Sequence, residues 1–454
     1  MAEMEHESGL DTSLLPKKES ERKLGKLAYM SLWLGDGVNL GNMTLGSSLV
    51  VAGVAMMNIY QTFVAAAIAI SIISIIFSLN DRLGYKSGIP YVVHLRMSFG
   101  VKGSIVSSLL RGIPALVWYG FQSWIGATAL NEISKIVLGI DQPFVMFVIL
   151  QVVQIGLSLY GFHAIKWVES VISTVIMLAL VYVLFLLITE HSAQISTTWV
   201  HAEGTWGIEF WGFIMAFMGN YAAIFLSAAD YSRELRPGIG NGERSMLYFF
   251  PIILAYGTVL CIGAMLASVT GVSNPAKAIP ILVNNPAISV FISAFIVMGA
   301  IAVNMVANIV PPTYVITLLT KMNYKAAVTL SGILAACTFP WVLVQDSSAV
   351  GLTYFILIYS AFLGPIVAIL LIEYYILRQQ KVDIDELYRP DGEFAGYNKA
   401  AIVAMLIGAA AAFVKVELAW VIGLVVAGIA YYILMGQTEM GAVFRKGTIF
   451  EKKE

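Results

Sequence analysis

A chain of 454 residues that is 59% hydrophobic and 12% charged, with a mean hydropathy of +0.81, falls outside the range of soluble globular proteins and reads as a polytopic membrane protein. Its formal net charge of −1 carries no message about partners; no nucleic-acid partner is expected, and where the charges fall is more informative than their sum. Cys261 and Cys337 sit in apolar segments without motif spacing and the five histidines are scattered, so no disulfide framework, metal centre, organic cofactor or enzymatic constellation is indicated.

Residues 1–26 form a polar tail of mixed charge without an apolar core, which reads as a cytosolic extension and not as a cleaved signal peptide. Apolar runs long enough to cross a hydrocarbon core of about 30 Å then recur about twelve times. The predicted spans are 27–54, 59–80, 103–137, 143–162, 168–189, 207–231, 246–271, 288–319, 324–344, 351–376, 398–415 and 418–436. Basic residues concentrate in every second connection: Arg82, Lys86, Arg96 and Lys102; Lys166; Arg233, Arg236 and Arg244; Lys321 and Lys325; Arg378, Lys381 and Arg389. With Lys17 to Lys26 before the first span and Arg445 to Lys453 after the last, this alternation places both termini in the cytosol of a cell-membrane protein.

The first span contains LGDGVNLGNMTLG, in which glycines alternate with Asp36, Asn39 and Asn42. Glycine weakens a helix, and backbone opened inside a membrane must line a cavity or an ion, so this is a candidate broken helix with Asp36 and Asn39 near mid-membrane. Packing of small residues accounts for the glycines but not for the acid.

In the third span, Trp118 and Gln122 lie four residues apart and share a helix face. A carboxamide at membrane depth needs a polar partner, and an indole one turn away suits a flat ring edged with amide-like groups. A packing aromatic beside an interhelical amide bond is the competing reading of this stretch alone.

The sixth span carries Gly219, Asn220 and Tyr221 at mid-membrane, where a second interruption is expected, and Asp230 with Arg233 at its cytosolic end, where an ion pair is expected. Interruptions in the first and sixth spans are what two inverted repeats of five spans produce, with a substrate site between them. In the eighth span Asn304 and Asn308 share a face, which suggests a shared polar cavity in which these asparagines bind substrate, and Pro311 with Pro312 are expected to break the helix just beyond. The expected organisation is a ten-helix core over 27–376, a cytosolic connection over 377–397, two added helices over 398–436 and a cytosolic tail over 437–454.

The runs WYGFQSWIGATALNEI, GNY…SAADYSRE, the paired asparagines of the eighth span and EYY…VDIDELYRPDGEFAGYN together resemble the nucleobase:cation symporters of the first type, whose bacterial members include hydantoin, allantoin, uracil and cytosine permeases. The resemblance covers nearly the whole chain and implies the leucine-transporter fold. It implies that Trp118 stacks on the substrate ring and Gln122 bonds its edge. Asn308 becomes the second amide contact, Asn39 a polar residue of the first span, and Asn220 the place where the family contacts substrate with backbone. Tyr221 replaces a second tryptophan of hydantoin-type members, a departure that tells against bulky aromatic substituents. It further implies a sodium site built from backbone carbonyls, here of Gly35 and Val38, and from two hydroxyl residues of the eighth span, here Ala302 and Val303. Those hydroxyls are missing, whereas Asp36 offers a carboxylate that suits a proton relay or supplies a sodium ligand from a new direction.

The expected function is secondary import, by alternating access, of a neutral planar nucleobase or hydantoin-like ring with H+ or Na+. An amino-acid or amine permease of the same fold, or a membrane sensor without flux, is the alternative. The sequence sets no oligomeric state.

Overall fold

The computed structural model describes residues 14–51, 54–159, 165–320, 322–345 and 349–451, and among them the chain is a helical bundle with a two-residue hairpin, β1 (Val50–Val51) against β2 (Val54–Ala55), as its sheet. The first span is broken as expected. Helix α1 (Lys26–Gly37) ends, Val38 and Asn39 leave helical geometry, and α2 (Leu40–Ser47) begins. The Asn39 side chain caps the new helix by accepting from the Asn42 backbone N–H at 2.9 Å, so one residue stops the first half and starts the second.

Helix α3 (Ile59–Asn80) opens on a reciprocal cap between Asn58 and Gln61 and is followed by two short helices, α4 (Arg82–Ser87) and α5 (Tyr91–Phe99). The third span is α6 (Ser104–Leu138), 35 residues with Pro114 inside it. Helices α7 (Pro143–Leu159) and α8 (Ile165–Glu190) make the fourth and fifth, and a bend of 84° follows α8 into the short helical segment Ser192–Val200.

The sixth span differs from expectation. Helix α9 (Ile208–Leu226) runs unbroken through Gly219, Asn220 and Tyr221, and the interruption comes at Ser227, before α10 (Ala228–Ser232). Gly219 serves close approach and not unwinding: a Cβ there would collide with the Ser360 hydroxyl, and its carbonyl accepts the Tyr359 hydroxyl at 2.7 Å. At the actual break, the Asn80 amide donates to the carbonyls of Phe225 and Leu226 at 2.7 and 2.8 Å, satisfying groups at the end of α9.

Helices α11 (Asn241–Thr270), α12 (Pro275–Val283) and α13 (Pro286–Val303) follow, then a wide turn over Asn304–Asn308 and α14 (Val310–Thr320). Pro311 and Pro312 do not end the eighth span; they fall in the first turn of α14, where missing N–H groups cost least, and the wide turn before them absorbs the irregularity. Helix α15 (Tyr324–Ala336), α16 (Val350–Leu371), α17 (Lys399–Ala412) and α18 (Ala419–Gln437) complete the chain.

Helices α1, α2 and α3 all pack on α11, and α3 packs on α9, so the first, second, sixth and seventh spans form one bundle. A buried cluster holds it: Arg244 reaches Asp81 at 2.8 Å, and the Tyr248 hydroxyl donates to the same carboxylate at 2.8 Å. Helix α6 packs on α7, α13, α14 and α15 in the other part, while α17 and α18 pack on each other and on α16. The polar stretch before α17 is pinned by backbone bonds, Val101 N–H to Phe394 O at 2.7 Å and the Asn398 amide to Ser98 O at 2.7 Å. Among the described residues, eight helices are long and apolar enough to cross a membrane by themselves, and the broken first span, the bent α8 segment and the shorter apolar helices α7 and α17 account for the other predicted runs.

Candidate substrate and cation site

The break between α1 and α2 lies against the middle of α6. Trp118 is 9% exposed and Gln122 3%, and the Gln122 Nε2 stands 3.5 Å from the Asn39 Oδ1. Gly41 marks where they meet. A Cβ on it would sit 2.9 Å from Cζ3 of Trp118 and 3.1 Å from both the Asn39 Oδ1 and the Gln122 Nε2. The indole is walled by Phe121 and Phe355, both edge-on at ring-centroid distances of 5.4 and 6.1 Å, and Phe355 meets Tyr359 at 4.9 Å. A carboxamide takes four hydrogen bonds, and Gln122 has one long contact, so most of its capacity is free for a ligand.

The other amides are more fully engaged. Asn39 donates to the Asp36 carbonyl at 2.8 Å besides capping α2. Asn220 is half-buried and donates to the Asn42 Oδ1 at 2.8 Å and to the Tyr256 hydroxyl at 2.6 Å, while Asn42 donates to the Gly37 carbonyl at 2.9 Å. A chain of amides thus ties the break of the first span to α9 and α11. Tyr221 is buried against Tyr256 and Phe77, with its hydroxyl beside the Asp36 carboxylate at the break.

Asn304 donates to the Tyr119 carbonyl at 3.0 Å, the Ser123 hydroxyl at 3.0 Å and the Gln154 Oε1 at 2.7 Å. Asn308 donates to Asn304 at 2.9 Å. The pair therefore shares a face as the spacing implied, but its donors run along the flank of α6 defined by Tyr119 and Ser123. Ala302 is buried and Val303 half-buried at the end of α13, and neither brings an oxygen-bearing side chain. The Gly35 carbonyl accepts the Val38 N–H at 3.2 Å inside the break, and Val38 itself is buried. Among the described residues no cluster of His, Cys, Asp or Glu has the make-up of a metal centre.

In the middle of α10, Asp230 accepts the Tyr91 N–H at the start of α5 at 2.7 Å. Near span ends, Glu132 pairs with Lys135 at 3.2 Å and Glu373 with Arg378 at 2.6 Å; Glu169 lies in a stretch whose side chains are outside the described ones. Sequence reasoning met Gly41 only as one of the glycines of the broken first span, and did not single out Phe355, Tyr359, Tyr256 or Gln154. Gly41 carried a signal, as the small residue between Asn39 and Asn42; the others come from distant segments.

Aromatic rings and side-chain amides thus converge at the break of the first span. The chain belongs to the family described as permease for cytosine/purines, uracil, thiamine, allantoin, whose model matches residues 16–434. It is 25% identical over 442 residues to a hydantoin permease of Microbacterium maritypicum, covering 93% of this chain and 88% of that one. It is 25% identical to a putative allantoin permease of Escherichia coli (strain K12), covering 95% of each. A purine-uracil permease of Arabidopsis thaliana is 26% identical over 88% of this chain and 71% of its own. In fold, it matches the inward-facing conformation of Mhp1 at a TM-score of 0.86, with 23% identity over 98% of this chain and 96% of that one. It also matches the closed, bromovinylhydantoin-bound conformation of Mhp1 at 0.80, with 22% identity over 96% and 99%.

Proposed function

We propose that this permease imports a neutral planar ring of the nucleobase or hydantoin class, together with a cation, by alternating access across the cell membrane with both termini in the cytosol. The convergence of Trp118, Gln122 and Asn39 on Gly41 carries the reading: a stacking surface and an under-used carboxamide meet at the break of the first span. The ring stacks on Trp118 and Gln122 pairs with its edge; Asn39 and Asn308 complete the polar lining, and Asn220, Asn304 and Tyr221 support it through the bonds described above. The relatives carry names for rings of this class, which supports the assignment.

For coupling, the reading is a proton carried by Asp36. Ala302 and Val303 supply no side-chain oxygen, whereas Asp36 lies at the break beside the Tyr221 hydroxyl. Sodium held by the backbone of Gly35 and Val38 together with Asp36 is the competing arrangement. The test is uptake by reconstituted vesicles of radiolabelled uracil, cytosine, allantoin and hydantoin under separately imposed pH and sodium gradients. Accumulation of at least one ring, driven by the pH gradient alone, is expected. Accumulation driven only by sodium would overturn the proton assignment, and absence of ring uptake with uptake of an amino acid would overturn the substrate class.

A further inference from the structure

Arg111 lies on α6 seven residues before Trp118. Seven residues are two helical turns, so both side chains leave one face, about 10 Å apart along the axis. Arg111 is the one nearer Ser104, the end of the span next to a basic connection. The residue is 7% exposed, yet its Nε has no partner, and no carboxylate pairs with its guanidinium among the described residues. Its two terminal nitrogens are not among the sealed, unpartnered atoms, so they open onto accessible space. A guanidinium at membrane depth is retained where it meets water or a ligand, because an unpaired charge in the interior is expensive.

The surroundings are polar and incompletely satisfied. The Tyr91 hydroxyl is buried without a partner, and α5, which begins at Tyr91, packs on both α6 and α10, with Tyr91 and Asp230 within electrostatic reach of Arg111. Asp230 is exposed, although its Oδ1 already takes the Tyr91 N–H. Helix α16, which carries Phe355 and Tyr359 beside Trp118, packs on both α5 and α6, so the two regions adjoin.

We infer that Arg111, the Tyr91 hydroxyl and Asp230 form a second, inner station for the permeant ring, occupied between the Trp118 chamber and the face bearing the basic connections. Arg111 donates to a ring carbonyl, and Asp230 accepts from the adjacent ring N–H. A cyclic imide or ureide presents both groups side by side. The inference rests on the ring-permease reading above and adds to it a site that the chamber does not contain.

The experiment uses the full-length protein with radiolabelled uracil and allantoin. Counterflow from vesicles preloaded at graded concentrations gives the inner half-saturation, and equilibrium binding to the purified protein gives the affinity of the Trp118 chamber. Arg111→Gln is expected to raise the inner half-saturation about tenfold or more, the loss of one charge-assisted hydrogen bond, with chamber affinity held within about twofold. Arg111→Lys should recover part of that loss, and Asp230→Asn should shift the same quantity in the same direction. Unchanged inner half-saturation in Arg111→Gln, or in both other variants should that one not fold, overturns the inference. A parallel fall in chamber affinity also overturns it, by making Arg111 a support of the outer site. Should neither ring bind the wild-type protein, the ring-permease reading fails and takes the inner station with it; should both bind and Arg111→Gln change nothing, only the station falls.

Discussion

Gln122 and Asn304 are both buried side-chain amides beside α6, and the structure separates their roles through what each is bonded to. Gln122 has a single contact at 3.5 Å, whereas Asn304 makes three at 2.7 to 3.0 Å. Replacing Gln122 by Leu removes a group that the empty protein scarcely uses, so the thermal midpoint should stay or rise. Ligand affinity should fall by about 1–3 kcal/mol, or about 5- to 150-fold, as a ring edge loses its partner inside the chamber. Asn304→Leu removes the donor to the Ser123 hydroxyl, the Gln154 Oε1 and the Tyr119 carbonyl together. It should cost about 2–4 kcal/mol of stability, because buried acceptors are left unpaired. The assay is paired: thermal unfolding in detergent without ligand, and equilibrium binding of the preferred ring. A Gln122→Leu protein that unfolds several degrees earlier and binds normally would refute the reasoning, because the amide would then be structural.

Asp36→Asn should leave ring binding and passive exchange in place while abolishing accumulation against a gradient; full pH-driven accumulation in that variant would remove Asp36 from the coupling. Gly219→Ala should destabilise by about 1–3 kcal/mol through its collision with Ser360, and Ser360→Gly should restore most of the loss in a thermal melt. His94, between the second and third spans, is fully buried with an unpartnered Nδ1, and burial pushes its imidazole down to about 4 from an ordinary 6.5. The unfolded chain therefore takes up this proton first, so the stability that depends on neutral His94 is intact above pH 6.5 and is lost as pH falls from there to about 4. The loss totals about 3 kcal/mol, and a melt series should show His94→Gln declining less steeply across that window.

The interruption of the first span was legible because Asp36, Asn39 and Asn42 have no reason to stand among glycines at membrane depth unless the backbone opens there. The sixth span misled because glycine has two uses. Gly219 was read for conformational freedom, but its missing Cβ makes room for Ser360, a residue 141 positions away that no local pattern connects to it. The true break at Ser227 depends on the Asn80 amide, which comes from the second span and covers carbonyls of the sixth. Asn304 and Asn308 were placed on one face from their spacing. The direction of that face was hidden, because Ser123 and Gln154, which hold Asn304, belong to two other spans. Trp118 and Gln122 were legible as a pair, while the approach of Asn39 and Gly41 to them arises only when α2 packs beside α6.

Binding of radiolabelled ring to purified Trp118→Ala protein, with helicity checked by circular dichroism, tests the chamber most directly. Helicity matching the wild type together with loss of measurable ring binding is the predicted result; wild-type affinity in the folded variant would contradict a site organised around the indole.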